Sequence, residues 1–347
     1  MEGVSAQLLN SYDNKYPNLT LNLDILANQS LIITNYYNHT AATNRGIRGS
    51  LISGYQNLDD LYKKNKQNKN IQRPSIATIL NKHNYLTEFY IPHPKHITNM
   101  YPMLQSLGFQ KIYYLENIER KFFNGKMILH PTNSVRDEDL MLAIEKELKV
   151  KEQATLQQPF FIGVYNIETH AFQNNLEHPY ADGKNEVLNR IYNFDYQFGK
   201  FLTFFQQSSF AKNTLLIVTS DHATFPDPVY RKISKAQFFI DKIPLIIHAP
   251  FINLPKTYDV SGRNSIDFSP TLLHLLNINN EQNLFLGCSL FEQCKTQEFN
   301  VSAIGLNFFI TDKNNLYEEK KIPTIYKKTF NEIKRRIYMY YTLDYDI

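Results

Sequence analysis

The sequence has no tryptophan, only two cysteines and no long apolar run. A transmembrane helix needs about 20 consecutive apolar residues, so we expect none here, and no signal peptide begins at Met1. Cys288 and Cys294 have no neighbouring cysteine or histidine pair, which argues against a structural zinc site. A small disulfide in an oxidising compartment and two free thiols both remain open.

The chain also lacks a strong excess of charge of either sign, since its formal net charge is only +4. Part of this charge lies in a polar basic stretch at positions 63–69. That stretch has no interleaved aromatic residues and belongs to no recognisable nucleic-acid module, so we interpret it as a solvated helix end or loop. With 43% apolar residues, the 347-residue chain can bury a large core.

The chain alternates between apolar runs typical of β-strands and apolar residues at helical spacing. Short runs of strand type occupy positions 30–37, 86–90, 111–115, 160–165, 215–219 and 243–247. Helical spacing occurs at 20–27, 75–80, 97–107, 187–205 and 265–276, and in a stripe of Leu140, Ile144 and Leu148 behind a cap at Ser134. This alternation predicts an α/β protein with a largely parallel central sheet flanked by helices.

The residues after position 300 differ in character, and we expect two domains: a catalytic domain at 1–300 and a small C-terminal subdomain at 301–347. The subdomain is predicted to hold one strand, Ala303 to Ile310, and a helix. The predicted buried stripe of that helix is Ile325, Phe330, Ile333 and Ile337.

Two polar segments follow predicted strands. Asp221 and His222 come directly after the run 215–219, and ligands gather beyond the carboxyl ends of strands in open α/β sheets. A carboxylate and a neutral imidazole suit a divalent metal ion. The alternative is that Asp221 caps a helix and His222 is a polar loop residue. The second segment, 38–54, is rich in glycine, arginine and hydroxyl residues, and it predicts a strand-to-helix turn able to hold an anion.

Eight short motifs along the chain resemble, in family order, those of the sulfatase-like branch of the alkaline phosphatase superfamily. The closest resemblance is to lipoteichoic acid synthases and related phosphoglycerol and phosphoethanolamine transferases. The motifs are M-E-G-V-S-A-Q-L-L-N-S-Y, T-L-N-L-D-I-L-A, T-N-R-G, S-V-R-D-E-D-L, N-I-E-T-H-A-F, T-S-D-H-A-T, I-P-L-I-I-H-A-P and S-I-D-F-S-P-T-L-L. Each is weak alone, and their common order makes the match specific. The resemblance implies an alkaline phosphatase-like fold.

The resemblance also implies a set of site residues. The metal ligands would be Glu2, Thr43, Asp221 and His222, and Thr43 would be the catalytic nucleophile, with Thr40 as the nearest rival. A hydroxyl bound to a divalent cation loses its proton more easily. The expected substrate-binding residues are Arg45, His170 and His93. Because Ser265 stands where two-metal relatives place a histidine, we expect one divalent ion, Mn²⁺ first, with Zn²⁺ or Mg²⁺ as alternatives.

The sequence departs from the family's motifs at three places, and each departure bears on the predicted nucleophile, substrate contacts or location. Neither cysteine lies in the C/S-x-P-x-R motif of sulfate-ester hydrolases, which argues for a threonine nucleophile. The segment 90–100, which contains His93, differs from the H-G-…-W-N-R segment of lipoteichoic acid synthases. Relatives carry membrane helices and a first strand ahead of the glutamate. We therefore expect the native membrane anchor to be absent from this chain, and a periplasmic location or one on the outer face of the bacterial inner membrane.

The sequence thus predicts an enzyme that transfers a phosphoglycerol or phosphoethanolamine group, through a phosphothreonine, from a phospholipid donor to a cell-envelope glycan or lipid. One alternative is a phosphodiesterase or sulfatase-like hydrolase that uses water as the acceptor. The other is a truncated, non-catalytic remnant that keeps the fold. Nucleic acid is not an expected partner.

Overall fold

A computed structural model describes residues 1–55, 74–154, 158–171, 177–234, 238–278, 281, 283–292, 298–312 and 315–342. The basic stretch at 63–69 and Cys294 lie outside these residues. The described strands are β1 (Leu31–Tyr37), β2 (Leu86–Tyr90), β3 (Lys111–Tyr113), β4 (Phe160–Val164), β5 (Leu216–Thr219), β6 (Leu245–His248), β7 (Thr257–Asn264), β8 (Asn300–Ile304), β9 (Asn307–Thr311) and β10 (Leu316–Glu318).

Two groups of strands make up the centre of the molecule. One sheet has the order β5-β6-β1-β7, in which β6 is antiparallel to β5 and β1 while β7 is parallel to β1. The other has the order β3-β2-β4, and all its pairs are parallel. The predicted largely parallel arrangement is confirmed, and β6 is the strand that runs the other way in this part of the described chain.

The described α-helices cover both faces of these sheets. They are α1 (Leu21–Asn28), α2 (Thr43–Ile52), α3 (Ile76–Lys82), α4 (Met100–Ser106), α5 (Leu115–Phe123), α6 (Asp137–Glu152), α7 (Glu186–Gln207), α8 (Pro228–Arg231), α9 (Phe268–Leu275) and α10 (Thr324–Thr342). Strand side chains alternate between the faces. In β5, Val218 packs into the core beneath α1, α6 and α7, whereas Ile217 faces the core beneath α2, α3 and α9.

The C-terminal residues form a three-stranded antiparallel sheet, β10-β9-β8, rather than the single predicted strand. The chain reverses at Gly305, whose φ of +62° is a conformation that favours glycine. Phe330 and Ile337 of α10 are buried as expected, but Ile325 is 76% exposed, so its place in the buried stripe is wrong. The first turn contacts the core through Tyr326, which packs against Phe299, and Ile325 points away from it.

Smaller differences concern the ends of helices. The helix predicted to be capped by Ser134 begins at Asp137, and the amide of Asp137 donates to Glu168 Oε2 (2.9 Å) instead. Leu115, expected at a strand end, instead starts α5. Among the described residues, no helix is both long and apolar enough to cross a membrane.

Candidate active site

The first residues of the chain cross the carboxyl ends of β4 and β5. The Glu2 amide donates to Asn166 Oδ1 (2.8 Å) just beyond β4, and the Gly3 amide donates to Asp221 Oδ1 (2.9 Å) just beyond β5. The Val4 amide donates to Ser220 Oγ (2.9 Å). These contacts place the Glu2 side chain, which is only 1% exposed, at the edge of the sheet where Asp221 emerges.

Three predicted metal ligands meet at this point. Glu2, Asp221 and His222 each offer one ligand atom within 4.8 Å of the others. His222 Nε2 lies 3.2 Å from Glu2 Oε1 and 3.5 Å from Asp221 Oδ2, and all three side chains are buried. The His222 ring is oriented through Nδ1, which lies 2.7 Å from the carbonyl oxygen of Ala223 and leaves Nε2 to face the carboxylates.

The residues present fit a divalent cation. Asp221 Oδ2 is buried and accepts no hydrogen bond from the described residues, although His222 Nε2 lies near it. A buried carboxylate oxygen without a donor is costly, and a cation compensates it. Two carboxylates and one imidazole form a ligand set that Mn²⁺, Zn²⁺ and Mg²⁺ sites share in part, so the set does not select among these ions.

Charge coupling in the group shifts each pKa. Burial raises the pKa of Asp221 to about 7, and the charge of Glu2 adds to this shift. Burial alone would lower the pKa of His222, but attraction to Asp221 and Glu2 outweighs it and raises the pKa to about 9. Burial acts to raise the pKa of Glu2 as well, yet the charge and hydrogen bond of His222 lower it. The group therefore concentrates negative charge that a proton on His222 neutralises only in part.

Thr43 begins helix α2 beside this group. Its Oγ1 donates a 2.8 Å hydrogen bond to Glu2 Oε2. The preceding residue, Ala42, has a φ of +69°, a conformation rare for residues other than glycine. Helix α2 can approach this closely because position 46 has no side chain, since a Cβ on Gly46 would lie 2.1 Å from the carbonyl oxygen of Asp221. Thr40, the rival nucleophile, is fully buried and donates instead to the carbonyl oxygen of Ala303 (2.8 Å).

His170 borders the same site from the loop after β4. Its Nε2 lies 3.9 Å from Glu2 Oε1, and 40% of its side chain is exposed. A cavity of about 190 Å³ opens here, and both Thr43 and His170 line it. The cavity joins the nucleophile candidate, two of the metal-ligand candidates (Glu2 and His222) and a partly exposed imidazole in one space.

The other two predicted substrate-binding residues lie further out. Arg45 is exposed on the first turn of α2 and does not line this cavity. His93 is largely buried against the ring of Tyr165, and its pKa is lowered by burial, with opposing attraction from Glu2. His93 is therefore within electrostatic range of the site but does not line its cavity.

Several supporting residues escaped the sequence prediction. Asn166 Nδ2 donates to Asp137 Oδ2 (2.8 Å) and to Thr169 Oγ1 (3.1 Å), and Thr169 Oγ1 donates to the carbonyl oxygen of Glu2 (2.7 Å). The buried carboxylate of Asp137 also accepts the amides of Ile167 and Glu168. Asn166 and Thr169 follow closely on the apolar run of β4, the same signal that marked Asp221 after β5, whereas Asp137 starts α6.

Comparisons with known proteins show which family and which solved structures this chain is similar to. The family model "Sulfatase" matches residues 1–278. An alkaline phosphatase superfamily protein from Vibrio parahaemolyticus is similar in structure, with a TM-score of 0.77 and 21% identity over 98% of this chain and 84% of that one. The lipoteichoic acid synthase LtaP from Listeria monocytogenes has a TM-score of 0.72 and 16% identity, covering 98% and 89% of the two chains.

A phosphonate monoester hydrolase from Silicibacter pomeroyi is also similar, with a TM-score of 0.61, 14% identity and coverage of 97% and 92%. At these identities the structural likeness shows the fold alone. The family match covers most of the chain, and members of the family are enzymes that bind a divalent metal ion. The chain therefore belongs to the sulfatase family, with an alkaline phosphatase-like fold.

Proposed function

We propose that the chain transfers a phosphoglycerol or phosphoethanolamine group from a phospholipid to a glycan or lipid of the cell envelope, through a phosphothreonine at Thr43. The observation that carries this proposal is the 2.8 Å hydrogen bond from Thr43 Oγ1 to Glu2 Oε2, inside the group that also contains Asp221 and His222. A threonine is a weak nucleophile unless a base or a cation activates it.

Glu2, Asp221, His222 and Thr43 Oγ1 would hold the divalent ion, most simply Mn²⁺. The bound ion would lower the pKa of the threonine hydroxyl and stabilise negative charge on a phosphoryl oxygen. Glu2 orients the hydroxyl, because its Oε2 accepts the Thr43 proton in a hydrogen bond. His170, which lines the same cavity, would donate to a non-bridging phosphoryl oxygen.

The chemistry has two steps. Thr43 Oγ1 forms a bond to phosphorus and loses its proton, and the bond from phosphorus to the diacylglycerol oxygen breaks, with diacylglycerol leaving as the protonated alcohol. A sugar or lipid hydroxyl then forms a bond to the same phosphorus, loses its proton and releases Thr43. Water in the second step, in place of the hydroxyl acceptor, would make the enzyme a phosphodiesterase.

The proposed donor lies in a membrane and the proposed acceptor lies in the cell envelope. Both support a location in the periplasm or on the outer face of the inner membrane.

Intact-mass spectrometry of the protein incubated with Mn²⁺ and phosphatidylglycerol or phosphatidylethanolamine tests the proposal. We expect a covalent adduct of the donor head group that maps to Thr43 and disappears in Thr43→Ala. Thr43→Ser should retain some adduct because it keeps the hydroxyl. Thr40→Val is the matched control, since it removes the neighbouring hydroxyl and should leave the adduct in place.

Two results would contradict the proposal. An adduct that persists in Thr43→Ala would assign the nucleophile elsewhere, and the absence of any adduct or turnover with either lipid, in protein shown to bind Mn²⁺, would exclude these donors. Product analysis with and without an added glycan then separates transfer from hydrolysis: free glycerol phosphate alone, at all acceptor concentrations, would favour the phosphodiesterase.

A further inference from the structure

The cavity beside Thr43 has a buried arginine in its wall. Of the lysine and arginine side chains in the described part of the chain, Arg190 alone lines this cavity, from helix α7. Only 3% of Arg190 is exposed. Arginine is rarely buried to this extent unless an opposite charge or a ligand compensates its own charge. A buried guanidinium in the wall of the candidate site is therefore a candidate for contact with the substrate.

Arg190 reaches the cavity on an otherwise apolar face of α7. Val187, Arg190 and Ile191 have the i, i+3, i+4 spacing of one helix face, and all three line the cavity. The rings of Phe225 and Phe239 line it as well, with their centroids 5.2 Å apart. Apolar walls lower the local dielectric, so a charge here acts more strongly on a bound group than a charge at the surface does.

Two acidic residues attract Arg190 from outside the cavity. Burial lowers the pKa of Arg190, and attraction to Asp227 and Glu186 opposes this shift. Neither acidic residue lines the cavity, and Asp227 Oδ1 accepts the amide of Tyr230 (2.7 Å) at the start of α8. Because arginine stays protonated in proteins, a group bound in the cavity would meet the positive charge of Arg190 directly.

The size of the cavity brings this charge close to any head group held for attack by Thr43. A volume of about 190 Å³ corresponds to about six water molecules at roughly 30 Å³ each, which suits a small head group rather than acyl chains. With a divalent ion bound, the charges of Glu2 and Asp221 would be balanced, and His222 would be neutral as a ligand. Arg190 would then be the main uncompensated charge facing the head group.

We propose that Arg190 determines donor specificity, admitting a phosphoglycerol group and disfavouring phosphoethanolamine. This inference rests on the proposed function and deepens it by choosing between the two head groups. Glycerol is neutral, whereas ethanolamine carries an ammonium that the guanidinium would repel inside apolar walls. The faces of Phe225 and Phe239 would attract an ammonium, but a full charge outweighs a ring quadrupole at a similar distance.

Binding of short-chain donors to Thr43→Ala tests the inference without turnover. Dihexanoyl phosphatidylglycerol and dihexanoyl phosphatidylethanolamine are titrated, below micelle formation, into the full 347-residue chain with Mn²⁺ and followed by isothermal titration calorimetry. We expect the glycerol lipid to bind roughly tenfold more tightly or better, because like charges placed together are costly. Mn²⁺ binding by each protein is verified first from its shift in melting temperature.

Variants at position 190, made in the Thr43→Ala background, test whether this preference comes from the guanidinium. Arg190→Gln and Arg190→Met both remove the charge and should reduce the ratio of affinities to about threefold or less; one of them suffices if the other does not fold. Arg190→Lys keeps a charge and should keep most of the ratio. Lys200→Gln is the matched control, since it removes a cation from the exposed side of α7, where Lys200 pairs with Glu138. It should keep the full ratio.

The inference and the proposed function fail in different ways. Equal affinities for the two lipids, tighter binding of the ethanolamine lipid, or an unchanged ratio without the charge of Arg190 would overturn the inference. An equal loss of affinity for both lipids would also overturn it, because Arg190 would then bind the phosphate and not discriminate between head groups. A ratio that depends on Arg190, without any adduct on Thr43 in the wild-type chain, would overturn the proposed transfer alone. Absence of binding of both lipids to protein that binds Mn²⁺ would overturn both.

Discussion

Gly46 lies where helix α2 comes closest to the turn that carries Asp221. A methyl group there would lie 2.1 Å from the backbone oxygen of Asp221, so the helix has to move. We expect Gly46→Ala to lower the free energy of unfolding by roughly 1–3 kcal/mol, the usual cost of overpacking. The same movement should separate Thr43 from Glu2 and abolish adduct formation.

Urea unfolding and intact-mass spectrometry test both effects of Gly46→Ala. Asn44→Ala, in the same turn of α2, is the control and should change neither measurement much. A Gly46→Ala protein with wild-type adduct formation would show that the close approach of α2 is not needed for the site.

His39 is predicted to make stability depend on pH. Burial lowers its pKa to about 3 in the folded chain, against about 6.5 when unfolded. Below pH 6.5 the unfolded state binds a proton that the native state does not, so this contribution to stability is present above pH 6.5 and lost as the pH falls towards 3. The loss approaches about 1.4 kcal/mol per pH unit at its steepest.

Denaturation of His39→Gln across pH 4.5–7.5 tests this pH dependence. The variant should show a shallower fall in stability between pH 6.5 and 4.5 than wild type, whatever its stability at pH 7.5. His248→Gln, at a partly exposed histidine, should keep the wild-type slope. Parallel curves for wild type and His39→Gln would contradict the prediction.

At the scale of elements, a buried ion pair joins strand β2 to helix α6. Lys151 Nζ lies 2.6 Å from Glu88 Oε2, and the Glu88 side chain is fully buried. Lys111 Nζ lies 3.3 Å from the other carboxylate oxygen. Lys151→Met removes the shorter contact and leaves Glu88 paired with the more exposed Lys111 alone, so we expect it to lower the free energy of unfolding by less than the roughly 3–5 kcal/mol that an unpaired buried charge costs. In urea unfolding, the double variant Lys151→Met with Glu88→Leu should recover much of this lost stability. A double variant whose loss of stability equals the sum of the two single losses would contradict the prediction.

The elements differ in how well the sequence predicted them. Strands such as β5 were found because the continuous apolar run at 215–219 is typical of a strand covered on both faces. The tail was misread because the chain reverses within such a run, at Gly305, and the alternation of one long strand looks the same as that of two short ones. Ile325 was misplaced because it lies five residues before Phe330 and so on another face of the helix; Tyr326, four residues before Phe330, shares its face and packs against Phe299.

The grouping of the candidate site residues was predicted in outline, while their roles stay predictions. Glu2, Thr43, Asp221 and His222 were chosen by motif order, and the structure brings all four together. Asn166 and Thr169 were missed because their role is to hold the backbone and amide of Glu2, which is 164 residues or more away in sequence. Spacing along the chain carries no information on such long-range contacts.

For the whole molecule, metal binding should stabilise the fold, because it would link the buried Glu2 to Asp221 and His222, which lie far away in the sequence. Binding to the native state alone adds about 2.7 kcal/mol when the ion is at 100 times its dissociation constant. We expect Mn²⁺ to raise the melting temperature, and a chelator to reverse the rise. Glu2→Ala and Asp221→Ala should abolish the shift, whereas His248→Ala should keep it. An equal shift in all variants would place the ion elsewhere.

The hydrogen bonds of the first five residues have a consequence for biosynthesis. Residues 1–5 bond to partners 164 to 219 positions later in the chain. At about 5–20 residues per second, a ribosome takes roughly ten seconds or more to make those partners. The segment that carries Glu2 is thus translated well before its partners and docks late, and a chaperone that retains this nascent segment would delay assembly of the candidate site without slowing formation of the helices around it.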